Sequence, residues 1–139
     1  MSRFSTLSSL VVILFSLMAC EQRDDFAQNN VWQGSGEAFE REFQYQPDLG
    51  DSLILFRNGS KESYSGSVER NDSGTMTRQI YFNGLLNGKS IKKSADGSWV
   101  EASYVDGKLE GPMKLYDRSG EIRSILNYSK GKLRSANAQ

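Results

Sequence analysis

The sequence predicts an all-β protein: an elongated antiparallel meander of stacked hairpins, preceded by a signal segment and a short flexible tether. Three observations lead there. Turn-forming glycines fall at Gly59, Gly74, Gly84, Gly97, Gly107, Gly120 and Gly131, spaced 10 to 15 residues apart. The segments between them alternate polar and apolar side chains, the pattern of a strand with one wet face. Only two prolines, Pro47 and Pro112, occur in the 139 residues, so few ladder donors are lost.

Composition narrows the chemistry. The chain has 17 basic and 17 acidic side chains, no histidine and one cysteine. That excludes a Ser-His-Asp or Cys-His nucleophile, a zinc site of the usual Cys/His kind and an internal disulfide. Balanced charge argues against nucleic acid, whose binders carry a basic excess. The glycines are spaced for hairpins, and no Gly-x-x-x-x-Gly-Lys-Ser/Thr phosphate loop occurs. No cofactor and no metal are expected.

Residues 1–19 read as a targeting segment. Arg3 is the only charge before Glu21, and Leu10 to Ala19 is apolar apart from Ser16. A membrane-spanning helix needs roughly 20 apolar residues, whereas a signal-peptide core needs roughly 7–15. The closing Leu17-Met18-Ala19-Cys20 resembles the lipobox of bacterial lipoprotein signal peptides, with Met18 departing from the small or aliphatic residue usual at its place. The resemblance implies cleavage before Cys20 and acylation of its thiol and new amino group. Each buried CH₂ contributes ~0.8 kcal/mol and stable anchoring takes two signals, which a multiply acylated cysteine supplies. Residues 20–139 would then be exported and held at a bacterial membrane by lipid. Glu21 is not the aspartate that marks inner-membrane retention in enteric bacteria, which favours the outer membrane, at its periplasmic face or surface.

One third of residues 20–139 are hydrophobic, a supply that suits an open sheet with one wet face. Residues 20–30 are polar and aperiodic, the expected tether. The lead-in, 31–55, holds Trp32, Phe39, Phe43 and Tyr45. Its 39–45 stretch alternates like a strand, yet Phe39 and Phe43 also stand at helical spacing, so both readings stay open. Ser52 to Phe56 is a short apolar strand ending at Asn58-Gly59. From residue 56 to 135 the chain is periodic, and 136–139 form a tail. Asn58, Asn83, Asp96 and Asp106 each precede a glycine, pairs that favour type I′ hairpin turns. Val100, Ala102 and Tyr104 face one way, with Trp99, Glu101 and Ser103 facing the other; Ile122, Leu126 and Tyr128 oppose Arg123 and Asn127, although Ile125 spoils the alternation.

A longer period overlies the hairpins. Tyr81-Phe82-Asn83-Gly84-Leu85-Leu86-Asn87-Gly88 matches Tyr104-Val105-Asp106-Gly107-Lys108-Leu109-Glu110-Gly111, and again Tyr128-Ser129-Lys130-Gly131-Lys132-Leu133. A weaker copy starts at Tyr64-Ser65-Gly66. Three units follow, about 66–87, 88–110 and 111–134. This Tyr-x-x-Gly-x-Leu-x-Gly signature at a 23-residue period is similar to the MORN repeat, in the variant found in bacterial antitoxin-like proteins. The resemblance covers residues 56–135 and implies consecutive hairpins stacked into one twisted sheet. Glycines at 84, 107 and 131 make the turns, and Gly88 and Gly111 recur at the signature's second glycine. Tyr81, Tyr104 and Tyr128 fall at equivalent places, as a ladder of stacked rings, and Leu85, Leu109 and Leu133 are expected as a second apolar row. No single hairpin buries its apolar face alone, so several must stack.

Such an array needs no catalytic group, and the chain is expected not to be an enzyme. Glu37, Glu40 and Glu42 are the clustered carboxylates, but nothing acidic is placed against them as a glycosidase pair requires. Lys89, Lys92 and Lys93 form a small basic run that reads as a solvated face. Trp99 and Tyr116 lie outside the tyrosine register and are the candidate binding face. The expected function is a lipid-anchored envelope protein whose repeat sheet binds another envelope protein, with an antitoxin- or immunity-like version implied by the family. The alternative is a binder of cell-wall glycan or lipid headgroups. Lys130, Lys132 and Arg134 would discourage pairing at the last strand edge, the lead-in would cover the other edge, and the oligomeric state stays open.

Overall fold

A computed structural model describes residues 29–48 and 52–138. The signal segment, Cys20 and most of the expected tether lie outside them. In chain order the described elements are β1 (Val31–Gly34), α1 (Gly36–Glu42), β2 (Phe43–Pro47), β3 (Leu53–Arg57), β4 (Gly66–Asp72), β5 (Thr75–Phe82), β6 (Leu85–Leu86), β7 (Gly88–Lys93), β8 (Trp99–Val105), β9 (Lys108–Leu109), β10 (Gly111–Tyr116), β11 (Ile122–Ser129) and β12 (Lys132–Ala138). Among the described residues the fold is all-β apart from one short helix. β1 and β4–β12 form a ten-stranded sheet in the order β1-β4-β5-β7-β8-β10-β11-β12, with β6 on β5 and β9 on β8; β2 and β3 form a separate hairpin.

From β4 onward every pairing is antiparallel between strands close in sequence, whereas β1 lies parallel to β4, with Trp32 beside Val68. The sheet is therefore mixed, which the expected meander did not include. A parallel neighbour needs a long connection, and here α1 and the β2–β3 hairpin provide it. The lead-in that read as strand or helix contains both. Ser35 caps α1, its Oγ accepting from the Ala38 amide at 3.2 Å. Asp72 accepts from the Gly36 amide at 2.6 Å and so ties the start of α1 to the end of β4.

The turns follow two designs. Asn83-Gly84, Asp106-Gly107 and Lys130-Gly131 have positive φ at both residues, as do Ser73-Gly74: tight two-residue hairpin turns. Asn58-Gly59 departs from the type I′ expectation, because only Gly59 has positive φ, and so does Asp96-Gly97, where only Gly97 has it. Its amide donates to Ser94 O at 3.0 Å while the Ser94 amide donates to Ser98 O at 2.8 Å, closing a three-residue loop whose glycine takes the left-handed position. Asp117 to Glu121 repeats this bonding. At the opposite end each turn glycine docks on the preceding unit: Gly84 N donates to Tyr64 O, Gly107 N to Leu86 O and Gly131 N to Leu109 O, at 2.7, 2.8 and 2.9 Å. Tyr64-Ser65-Gly66 therefore matches Leu86-Asn87-Gly88 and not Tyr81-Phe82-Asn83.

Register corrects three further expectations. Tyr81 pairs with Leu86, Tyr104 with Leu109 and Tyr128 with Leu133, so the leucine row runs through Leu86; Leu85 stands one residue off, opposite Phe82. The tyrosines do not stack. They stand on β5, β8 and β11, with strand material between each pair, and two strand spacings amount to ~9.6 Å. Among the described residues no ring contact joins Tyr81 to Tyr104 or Tyr104 to Tyr128, whereas Tyr81 meets Tyr64 edge-on at 6.3 Å. Finally, Ile122 pairs with Tyr116 and Ser124 with Leu115, which leaves Arg123 as a bulge. Ile122 is thereby turned to the side opposite Leu126 and Tyr128.

The core lies at the N-terminal end. Trp32, Phe39, Phe43, Leu55, Tyr64, Val68 and Tyr81 form one buried cluster, with Ala38 and Leu86 packed against it. Phe39 and Phe43 stack at 4.8 Å and Trp32 meets both edge-on. The Trp32 indole N–H, which burial would otherwise orphan, donates to Glu42 at 2.8 Å. Arg57 lies over Phe43 and Tyr64 at 5.4 and 5.7 Å. Burial declines along the repeats, from Tyr81 at 3% exposed to Leu133 at 53%.

Candidate functional site

Strand alternation sorts the repeat side chains onto two faces. Val68 and Tyr81 point to the face covered by α1 and the β2–β3 hairpin, and by register Arg70, Thr77, Lys92, Val100 and Leu115 point the same way. Their neighbours point to the outer face. One outer row runs Gln33, Glu69, Arg78, Ile91, Glu101, Lys114, Ile125; the next runs Asn71, Met76, Lys93, Trp99, Tyr116, Ile122.

The second row contains both residues of the predicted binding face. Trp99 and Tyr116 are directly paired in register, and their rings stack at 4.6 Å with an interplanar angle of 9°. Lys93 pairs with Trp99 from the other side, and Met76, next along the row, is 55% exposed. The indole also lies across the last hairpin loop, where a Cβ at Gly120 would stand 3.6 Å from Trp99 Cη2. That loop is rigid. Asp117 accepts from the Ser119 amide and hydroxyl and the Glu121 amide at 2.6 to 3.0 Å, and pairs with Arg123 at 2.6 Å. The Ser119 hydroxyl foremost, with the Glu121 amide and Arg123, holds the Asp117 carboxyl well below the usual carboxylate range. Asp96 in the preceding loop is lowered in the same direction, chiefly by the Ser98 hydroxyl.

Beside this aromatic pair is a groove of about 770 Å³ lined by Met76 and Ile91 together with Gln33, Arg78 and Lys93. Sequence reasoning missed Met76 and Ile91 as parts of the face. The signal was present in the 23-residue period, which puts Met76 and Trp99 at the same place in successive units, 23 residues apart. The charges here are partly matched: Arg78 pairs with Glu69 at 3.4 Å and Lys89 with Glu101 at 3.2 Å. The basic run is divided accordingly, with Lys89 and Lys93 outward and Lys92 on the core side.

The remaining sequence candidates have structural surroundings. Burial pushes the Tyr81 phenol up, aided by the Tyr45 hydroxyl 2.9 Å away, and raises Tyr64 and Tyr104 by the same cause. Glu42 holds the Trp32 indole, Glu37 lies in the first turn of α1, and Glu40 is exposed. Among the described residues no three carboxylate or cysteine side chains gather as a metal ligand set, and no helix is long and apolar enough to cross a membrane. Comparison with protein-family models, curated proteins and solved structures finds no match.

Proposed function

We propose that this chain is a non-enzymatic, lipid-anchored protein of the bacterial envelope whose repeat sheet presents a protein-binding face. The observation that carries the reading is the outer row Met76–Lys93–Trp99–Tyr116 beside its groove. Trp, Tyr, Met and Arg are the residue types enriched in the cores of protein interfaces, and rings already stacked on each other have fewer rotamers to lose on docking. A 23-residue unit whose turn glycines each bond to the preceding unit supports treating the array as a MORN-variant repeat. The lipobox-like Leu17 to Cys20 supports acylation at Cys20 and an outer-membrane location. An antitoxin- or immunity-like role is the sharper version of this reading, directed at an exported toxin because the anchor places the protein outside the cytoplasm.

The second reading is a glycan ligand, favoured by two partly exposed aromatic rings on the outer face, since sugars pack on aromatic rings. The two separate in one experiment. Tagged protein is solubilised from envelopes, and captured proteins are compared between wild type and Trp99→Ala/Tyr116→Ala. A stoichiometric protein partner lost in the double variant supports the first reading. Retention on peptidoglycan, lost in the same variant with no protein captured, replaces it by the second.

A further inference from the structure

The core-side face carries a second, unrelated concentration of chemistry. Arg70 on β4, Thr77 on β5, Lys92 on β7 and Val100 on β8 form one cross-strand row. They line a groove of about 340 Å³ together with Gln79, Ser90 and Tyr104, within the roughly 300–1,000 Å³ of small-molecule sites. Val100, Ala102 and Met113 form its apolar side.

Charge is distributed unevenly between the two faces. Outward, Arg78 and Lys89 have carboxylate partners. On the core side the only carboxylate at a strand position of β4–β11 is Asp72, and it is occupied by the Gly36 amide. Among the described residues neither Arg70 nor Lys92 forms an ion pair. Arg70 is nevertheless oriented: its guanidinium lies 4.9 Å over Phe39, and Nη2 donates to Gln79 Oε1 at 3.2 Å. The same Gln79 oxygen accepts from the Tyr81 hydroxyl, so its amide NH₂ remains as a donor. The groove thus converges two cations, three hydroxyls and an amide NH₂ beside an apolar wall. We propose that it binds a small ligand carrying one oxyanion group, a carboxylate or a phosphate, on a short apolar body: the anion between Arg70 and Lys92, the body across Val100, Ala102 and Met113. An extended peptide fits this place poorly. The strand backbones below it are spent in the ladder and offer nothing to a peptide's own N–H and C=O groups, whereas a hydrocarbon body asks for none.

The test is an amide-shift titration of the purified protein with octanoate and octyl phosphate, with octyl glucoside and inorganic phosphate as the neutral and headgroup-only probes. Both anionic amphiphiles are expected to move the Thr77, Ser90 and Lys92 amides saturably. Lys92→Gln, which removes an exposed side chain without an ion partner, should weaken them about tenfold at unchanged melting temperature, and Lys92→Arg should restore binding. Octyl glucoside binding as tightly, or an unaffected Lys92→Gln variant, overturns the anion site. Inorganic phosphate binding as tightly as octyl phosphate overturns the apolar half, and no saturable shift with any probe overturns the whole.

Discussion

Gly84 and Gly131 occupy equivalent turns with nearly equal φ, +76° and +78°, but very different surroundings. Alanine at either must adopt a left-handed conformation at roughly 1–2 kcal/mol. At Gly131 that is nearly the whole cost, because the nearest atoms to a new Cβ are Lys108 Cβ and Cγ at 3.8 and 3.9 Å. At Gly84 the new methyl collides with Ile54 Cγ2 and stands 2.9 Å from both Leu55 N and Leu55 O. Relief must move β3, which the Leu55 amide bonds to Gly84 O at 2.9 Å, or break the 2.7 Å bond from Gly84 N to Tyr64 O. Overpacking adds ~1–3 kcal/mol and a weakened backbone bond ~0.5–1.5. Gly84→Ala should therefore cost about 2.5–6.5 kcal/mol against about 1–2 for Gly131→Ala. At about 4 °C per kcal/mol, melting should fall by about 10–26 °C and about 4–8 °C respectively. Urea unfolding followed by tryptophan fluorescence measures both. Equal losses would refute the docking of the β2–β3 hairpin on the first turn, and no loss at Gly131 would refute the left-handed turn itself.

Other predictions follow from the same geometry. Leu55 is fully buried, so Leu55→Ala should cost about 2–5 kcal/mol in the same urea assay. Burial raises the phenols of Tyr64, Tyr81 and Tyr104 above their unfolded value near 10. Their contribution to stability is fully present below about pH 10 and is lost as pH rises above it toward the folded values. Tyrosinate absorbance from these three should accordingly appear only above about pH 10, with unfolding; its full appearance at about pH 10 would contradict the packing. Cys20→Ser should release the protein from the membrane fraction, and unchanged fractionation would remove the lipid anchor from the account.

What the sequence made legible was the repeat. Asn83-Gly84 and Asp106-Gly107 are local turn chemistry, and the alternation in 99–104 is read directly from residue order. Pairing was less legible, because it depends on which carbonyl a strand meets. Leu85 and Leu86 are adjacent and identical in type, yet the spacing from the tyrosine already selects Leu86, which follows Tyr81 by five residues as Leu109 follows Tyr104, and the bond from Gly107 N to Leu86 O agrees. The parallel β1–β4 contact joins segments 36 residues apart through four residues with no marked alternation, and Trp32 alone advertised a core. The Asp96-Gly97 loop has the dipeptide of one turn type and the geometry of another, since the chain provides three loop residues there and not two. The Trp99–Tyr116 pair is legible as lying out of register with the tyrosines, and the 23-residue spacing points to Met76, yet the stacking itself required the sheet order. The Arg70–Lys92 groove was invisible because its residues come from strands whose faces only register assigns.

The central claim is that the outer row around Trp99 and Tyr116 is a protein-binding face, and site-specific photocrosslinking in intact envelopes tests it most directly. A photoreactive residue at position 93, beside Trp99, should yield one discrete adduct with another envelope protein, and the adduct should vanish when Trp99→Ala and Tyr116→Ala are added. The same residue at position 108, exposed at the start of β9 and at the opposite end of the hairpin, should yield none. An adduct from 108 and not from 93, or one from 93 that survives loss of the aromatic pair, would contradict it.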